Sequence, residues 1–321
     1  MLTLAKLVPI NLESEKQRFF AENGNYNPQF EYEDNFHPDE LLVHGLPEKD
    51  LSALADKIVH EDVAAQLAAD AKEKVDGLLS QEAVTKKVEA FLQLHDLSER
   101  YSITWSSSFV ARTSITATNI KLRIPAAFRS QEDLLGMLYH EVGTHALRRV
   151  NYEKQPWFKK KKQFGFGSYL RTEEGLASLH SLLPLKNKSA YGSALRYLAV
   201  AHAQQEGFAE TYKFVSQYVD DPERRWAITF KQKRGLTDTS LPGGYTKDLV
   251  YFAGLVEVWR YLNQRNFEVD GLYFGKLAKE DVEKAREINP AFEPLLPSFY
   301  VTDKDSYRRL MQEIGQINHL L

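Results

Sequence analysis

Between residues 50 and about 95 apolar positions recur every three to five residues, at Leu54, Ile58, Val63, Leu67 and Ala71, then at Val75, Leu78 and Leu79. That spacing predicts a pair of amphipathic helices. The pattern changes over 101–125, "YSITWSSSFVARTSITATNIKLRIP", where β-branched and aromatic residues alternate with polar ones before a closing proline. Two or three short strands are predicted there. Helical spacing returns in "LLGMLYHEVGTHALRRV" (134–150), where Leu134, Leu135, Leu138, Val142, Ala146 and Val150 supply an apolar face. Pro156, Gly165 and Gly167 mark a loop, and a second helix is predicted from an N-cap at Thr172 to just before Pro184. Further helices are predicted over 193–219, 246–263 and 303–321. Residues 1–50 are polar, rich in aromatics and Asn, and poorly periodic, so they read as a wrapping segment with short helices. No repeat, low-complexity tract or clear linker interrupts the chain. The expected organisation is a wrapping segment with helices over 1–100 and a functional region over 101–321, joined in one compact unit.

Composition narrows the chemistry. Of 321 residues 43% are apolar, enough for a sizeable core. With 41 basic and 44 acidic residues the formal charge is −3, so no global field draws in nucleic acid or an anionic membrane, and neither is expected as a partner. Lys6 and Pro9 interrupt the opening before an apolar core of signal-peptide length forms, and no later run approaches a membrane span. A cytoplasmic protein is expected. Cysteine is absent, which excludes disulfides, thiolate metal sites and a cysteine nucleophile.

The stretch 134–150 carries His140, Glu141 and His145. A helix advances about 100° per residue, so histidines five apart point roughly 140° away from each other and cannot share a metal. One extra residue in the turn, as in a π-bulge, reduces the offset to roughly 40°. Gly143 lies inside that turn, where the absence of Cβ eases the distortion. Glu141 directly follows the first histidine, the place from which a carboxylate reaches a metal-bound water without ligating the metal. Two separately satisfied histidines are the bland alternative. "RTEEGLASLH" (171–180) offers a third ligand, since two histidines and a carboxylate make a catalytic zinc set with one position left for water. Spacing does not choose among Glu173, Glu174 and His180.

"HEVGTHALR", "RTEEGLASLHS" and "KRGLTDTSLPGGYTKDLVYFAGLVEV" together resemble the microtubule-associated tyrosine carboxypeptidase family and its bacterial relatives, over about residues 124–261. The resemblance implies an H-E-x-x-x-H zinc peptidase that removes a C-terminal aromatic residue, Tyr or Phe. Carried over position by position, it implies His140, His145 and Glu174 as Zn²⁺ ligands and Glu141 as the catalytic base. Bacterial relatives often read Q-E-G-L-C where this chain has Glu173-Glu174-Gly175-Leu176-Ala177. Pattern and resemblance together lead to an α+β, mainly helical, zincin-like fold with a small antiparallel sheet beside the motif helix, the zinc peptidase region being 101–321.

A carboxypeptidase must also bind a free carboxylate, for which Lys233 or Arg234 is the expected anchor. Tyr245 and Tyr251 are candidate oxyanion donors. "NIKLRIP" is either an edge strand for an extended peptide or a central strand. Lys159 to Lys162 read as a solvated loop or as a patch for an acidic tail. The expected partner is the C-terminal tail of a peptide or protein, the tubulin tail in eukaryotic members of the family. The alternatives are a non-catalytic zinc-binding module on the same fold, and an endopeptidase or aminopeptidase indifferent to a free C-terminus.

Overall fold

The structure is a computed structural model that describes residues 4–76, 78–109, 111–126, 128 and 130–321, excepting the side chains of 69–76. Three helices come first, α1 (Leu12–Ala21), α2 (Pro38–Leu41) and α3 (Lys49–Asp76). Helix α4 (Gln81–Gln93) leads into strands β1 (Ser102–Ser106), β2 (Thr113–Ile115) and β3 (Asn119–Arg123). The next helix starts as α5 (Gln131–His140), widens into a π-helical turn over Glu141–Ala146, and resumes as α6 (Leu147–Glu153). Then come α7 (Leu170–Leu182), α8 (Tyr191–Ala203), α9 (Phe208–Ser216), α10 (Pro222–Lys233) and α11 (Leu249–Asn263). Helices α12 (Val282–Ile288), α13 (Ser298–Val301) and α14 (Lys304–Ile317) close the chain. The class is α+β and mainly helical. Among the described residues no helix is long and apolar enough to cross a membrane.

Several elements differ from expectation. The sheet is mixed, not antiparallel: its order is β1-β3-β2, with β1–β3 parallel and β2–β3 antiparallel. The connection after β1 carries the chain past the place β3 will take, so β3 enters between the other two. "NIKLRIP" is therefore central, with Ile120 and Leu122 buried and both ladder sides paired, and it offers no free edge. The N-cap of α7 is Tyr169; Thr172 lies buried in the first turn, where its hydroxyl accepts from the Lys279 amide at 3.1 Å. Helix α10 escaped the periodicity reading, although Asp221 caps it through the Arg224 amide at 2.8 Å and Pro222 opens it. Of the stripe expected along α3, Ile58 is buried, Leu54, Val63 and Leu67 are half-buried, and the side chains of Ala71 and Val75 lie outside the described residues.

The chain divides into two units, Met1–Asp70 with Ala190–Phe252 and Ala71–Ser189 with Ala253–Leu321. The first hundred residues are shared between them because each part has its own core. In the first unit Phe19, Phe30, Phe208 and Trp226 form an aromatic cluster, with Phe208 and Trp226 ring centroids 4.8 Å apart. The wrapping segment is stitched to the later chain by Phe30 N to Thr237 O, 2.8 Å.

In the second unit α5 packs on α7, and Leu134, Leu138, Val142 and Ala146 are buried. Strand β2 lies against the π turn. α7 and α11 approach through glycine. A Cβ on Gly175 would sit 2.2 Å from the Gly254 carbonyl carbon, and one on Gly254 would sit 2.1 Å from the Arg171 oxygen. Backbone thus touches backbone at the residue after Glu174.

Candidate metal centre

The π turn resolves the five-residue spacing. Its wider coil turns His140 and His145 toward one side, their ring centroids 4.8 Å apart. α7 supplies the third group: Glu174 Oε2 is 3.8 Å from His140 Nε2 and 3.6 Å from His145 Nε2. Ligand atoms of these three residues all lie within 4.8 Å of one another. Tetrahedral ligands about 2.0–2.1 Å from zinc stand roughly 3.4 Å apart, so the two imidazoles and one carboxylate fit zinc in donor type and nearly in spacing. Glu141, next to His140, is 8% exposed.

Side chains hold the π turn in place. Thr144 donates its hydroxyl proton to the Tyr139 carbonyl at 2.9 Å, so at its 2.8 Å contact with His180 Nδ1 it must accept. His180 therefore carries its proton on Nδ1 and accepts from the Tyr307 hydroxyl at Nε2, 3.0 Å away. The Tyr273 hydroxyl donates to the Gly143 carbonyl at 2.6 Å. Gly143 is required for a second reason besides the turn, since a Cβ there would meet the Phe299 ring at 2.6 Å. His180, one of the alternative ligands, is a neutral strut of this turn and not part of the ligand cluster.

Burial, with the nearby His140 and Arg148, lowers the His180 pKa to about 3. The sign follows from linkage. The unfolded chain binds this proton from about pH 6.5 downward and the folded chain does not, so stability is complete above about pH 6.5 and falls as the pH drops toward 3. The upper bound is about 4–5 kcal/mol. The expected result is that Tm falls less steeply between neutral pH and about pH 4 in His180→Gln than in the wild type; equal slopes would remove His180 from the acid sensitivity.

The two adjacent glutamates part company. Glu173, 2% exposed, turns to the far side of His145, with Oε1 2.8 Å from His145 Nδ1. Its Oε2 accepts from Arg148, and Lys276 donates to Oε1 at 2.7 Å. Arg148 is fully buried and also donates to the carbonyls of Leu272 (2.8 Å), Gly275 (3.1 Å) and Leu277 (2.8 Å). Burial alone would raise the Glu173 pKa, but Arg148, Lys276 and the His145 hydrogen bond outweigh it and hold the carboxyl well below the usual range. An ionised Glu173 only accepts, so His145 Nδ1 carries hydrogen and Nε2 faces Glu174. Burial opposes charge on both histidines. At His145 the hydrogen bonds to Glu173 and Glu174 prevail and push its pKa up to about 10, whereas at His140 burial and the His145 charge lower it.

The expected substrate residues lie in the first unit. Lys233 is not free to bind substrate: it is fully buried, and its ammonium donates to the carbonyls of Ala203 (3.0 Å), Leu241 (2.7 Å), Gly243 (3.2 Å) and Glu206. Arg234 stacks over the Tyr245 ring at 5.1 Å, and its buried Nε has no hydrogen-bond partner. Tyr245 reaches His44 Nε2 at 3.3 Å, and the Arg196 guanidinium lies 5.9 Å from the Tyr251 ring. In the lysine run Lys159, Lys160 and Lys162 are exposed, but Lys161 turns inward onto the Tyr169 ring at 3.4 Å.

Sequence reasoning missed Arg148, Lys276, Tyr273 and Phe299. Arg148 alone left a trace, as the first of two adjacent arginines that follow His145 on the motif helix. The others come from segments distant in sequence, with no local signal.

A family model described as microtubule-associated tyrosine carboxypeptidase matches residues 36–291. The chain is 33% identical to microtubule-associated tyrosine carboxypeptidase 1 of Rattus norvegicus, over 99% of this chain and 69% of that protein. It is 32% identical to the protein of the same name from Homo sapiens, over 99% and 68%. Against MATCAP2 of Mus musculus the identity is 32%, over 99% of this chain and 62% of the relative. The chain thus spans between about three fifths and seven tenths of the length of these relatives.

Proposed function

We propose that this chain, which belongs to the microtubule-associated tyrosine carboxypeptidase family, is a zinc-dependent carboxypeptidase that removes a C-terminal Tyr or Phe from a peptide or protein tail. The observation that carries the reading is the meeting of His140 and His145, five residues apart, with Glu174 across a π turn. We read the arrangement as zincin-like, with the small sheet beside the motif helix.

His140 and His145 through Nε2, and Glu174 through its carboxylate, would hold the ion; when bound, zinc acidifies a water molecule and polarises the scissile carbonyl. Glu141 takes the proton from the attacking water and returns it to the leaving amine, which departs as the free amino acid. Arg234 stays the candidate for the terminal carboxylate, since the Lys233 ammonium is taken up by the carbonyls of Ala203, Glu206, Leu241 and Gly243. Tyr245 and Tyr251 remain the candidate oxyanion donors. An acidic tail would meet exposed Lys159, Lys160 and Lys162, and its turnover would then fall with salt.

Peptides ending in free Tyr, amidated Tyr, free Phe and free Ala test this. Only free Tyr and Phe should be released, as followed by mass spectrometry, and a chelator should abolish release until zinc is restored. Cleavage of the amidated peptide would point to an endopeptidase. Zinc uptake without any release would favour the binding module.

A further inference from the structure

Glu173 touches no metal-facing atom, yet it is among the most strongly held side chains in the second unit. Its Oε2 is pinned by Arg148, and Arg148 is itself fixed by carbonyls of residues 272–277. The carboxylate therefore cannot swing away. Its other oxygen has two claimants, His145 Nδ1 at 2.8 Å and Lys276 Nζ at 2.7 Å. We propose that Glu173 is the positioning residue of the metal centre, aligning His145 Nε2 and raising its donor strength, and that Lys276 restrains it by competing for Oε1.

The inference rests on the zinc reading above and gives the two residues opposite signs. A carboxylate behind a metal-binding imidazole fixes its orientation and makes it a stronger ligand; loss of such a partner typically costs about 10- to 100-fold in metal affinity. Lys276 works against this. It draws charge from the oxygen that faces His145, and it adds a positive charge near the seat of a dication. Removing it leaves Oε1 to His145 alone, while the Arg148 pair stays intact. Lys276 has only 17% of its side-chain surface exposed, and methionine, unbranched and of similar length, refills that space without the charge.

Zinc affinity of the full chain, measured by competition with a chromophoric chelator, tests the pair, with Tm of the zinc-free proteins recorded alongside. Glu173→Gln should weaken zinc about 10- to 100-fold, and Lys276→Met should tighten it several-fold. A merely structural network gives a different result, weaker zinc in both variants in step with lower Tm, and that result overturns the proposal. So does wild-type affinity in both. Nitrogen NMR of the zinc-loaded wild type should show hydrogen on His145 Nδ1 and metal on Nε2; the reverse also overturns it. Should Glu173→Gln fail to fold because Arg148 is left unpaired, Lys276→Met decides alone, tighter binding supporting the proposal and unchanged or weaker binding overturning it. A wild type that takes up no zinc defeats the zinc reading as well. One equivalent of zinc held with wild-type affinity by both variants defeats this inference only.

Discussion

Glu141→Gln is expected to lower release of a C-terminal Tyr by roughly 100- to 10,000-fold, the usual contribution of a positioned general base, while one equivalent of zinc still binds and Tm stays close to wild type. Glutamine copies the shape of glutamate and still accepts a hydrogen bond, but it cannot take a proton at neutral pH. The zinc ligands proposed here are other residues, so metal binding should not follow activity down. The residue is 8% exposed on the rigid π turn, so a change in chemistry is not masked by a change in position. Full activity in the variant would remove Glu141 from the mechanism. Equal inactivity of wild type and variant, both zinc-loaded, would favour the non-catalytic module.

The second large effect is on the backbone. Gly175→Ala places a methyl group 2.2 Å from the Gly254 carbonyl carbon and 2.3 Å from its oxygen, and neither atom belongs to a flexible side chain. Helices α7 and α11 must separate. Overpacking of this kind costs about 1–3 kcal/mol or more, which for a chain of 321 residues lowers Tm by roughly 1–5 °C. Because Glu174 is the adjacent residue on α7, separation also displaces the proposed third ligand relative to the histidines, and zinc affinity should fall with Tm. Thermal melts and chelator competition on the same preparation check both; an unchanged Tm would mean that the helices slide past each other without cost.

What the chain disclosed before folding depended on the range of the physics involved. His140 and His145 could be placed on one side of a helix because the argument uses only the pitch of that helix and one inserted residue. The Glu173–Glu174 choice could not be made from spacing, since adjacent helical positions differ by about 100° and only the location of Arg148 and Lys276 decides which carboxylate turns where. Lys233 looked like an anchor because a cation beside a glycine-rich loop often faces solvent. Here the loop closes over it and four carbonyls replace water. The strand region was legible, but the parallel pairing of β1 with β3 was not, because it depends on where the intervening connection runs. Helix α10 was masked by its many charges, although its Asp-Pro start is a local signal that could have been used.

The π turn also sets how reversible the five-residue spacing is. Deleting one residue between His140 and His145 gives the four-residue spacing of an ordinary α-helical zinc pair, so the two kinds of helix are separated by a single codon. In this fold the return path is closed. Thr144 and Tyr273 hydrogen-bond to the carbonyls of Tyr139 and Gly143, and Phe299 packs onto Gly143, so a deletion strands a buried tyrosine hydroxyl and drives a ring against the shortened coil. The extra residue is thus held by partners from distant parts of the sequence, and it acts as a latch: its loss would have to be answered at Thr144, Tyr273 and Phe299 together.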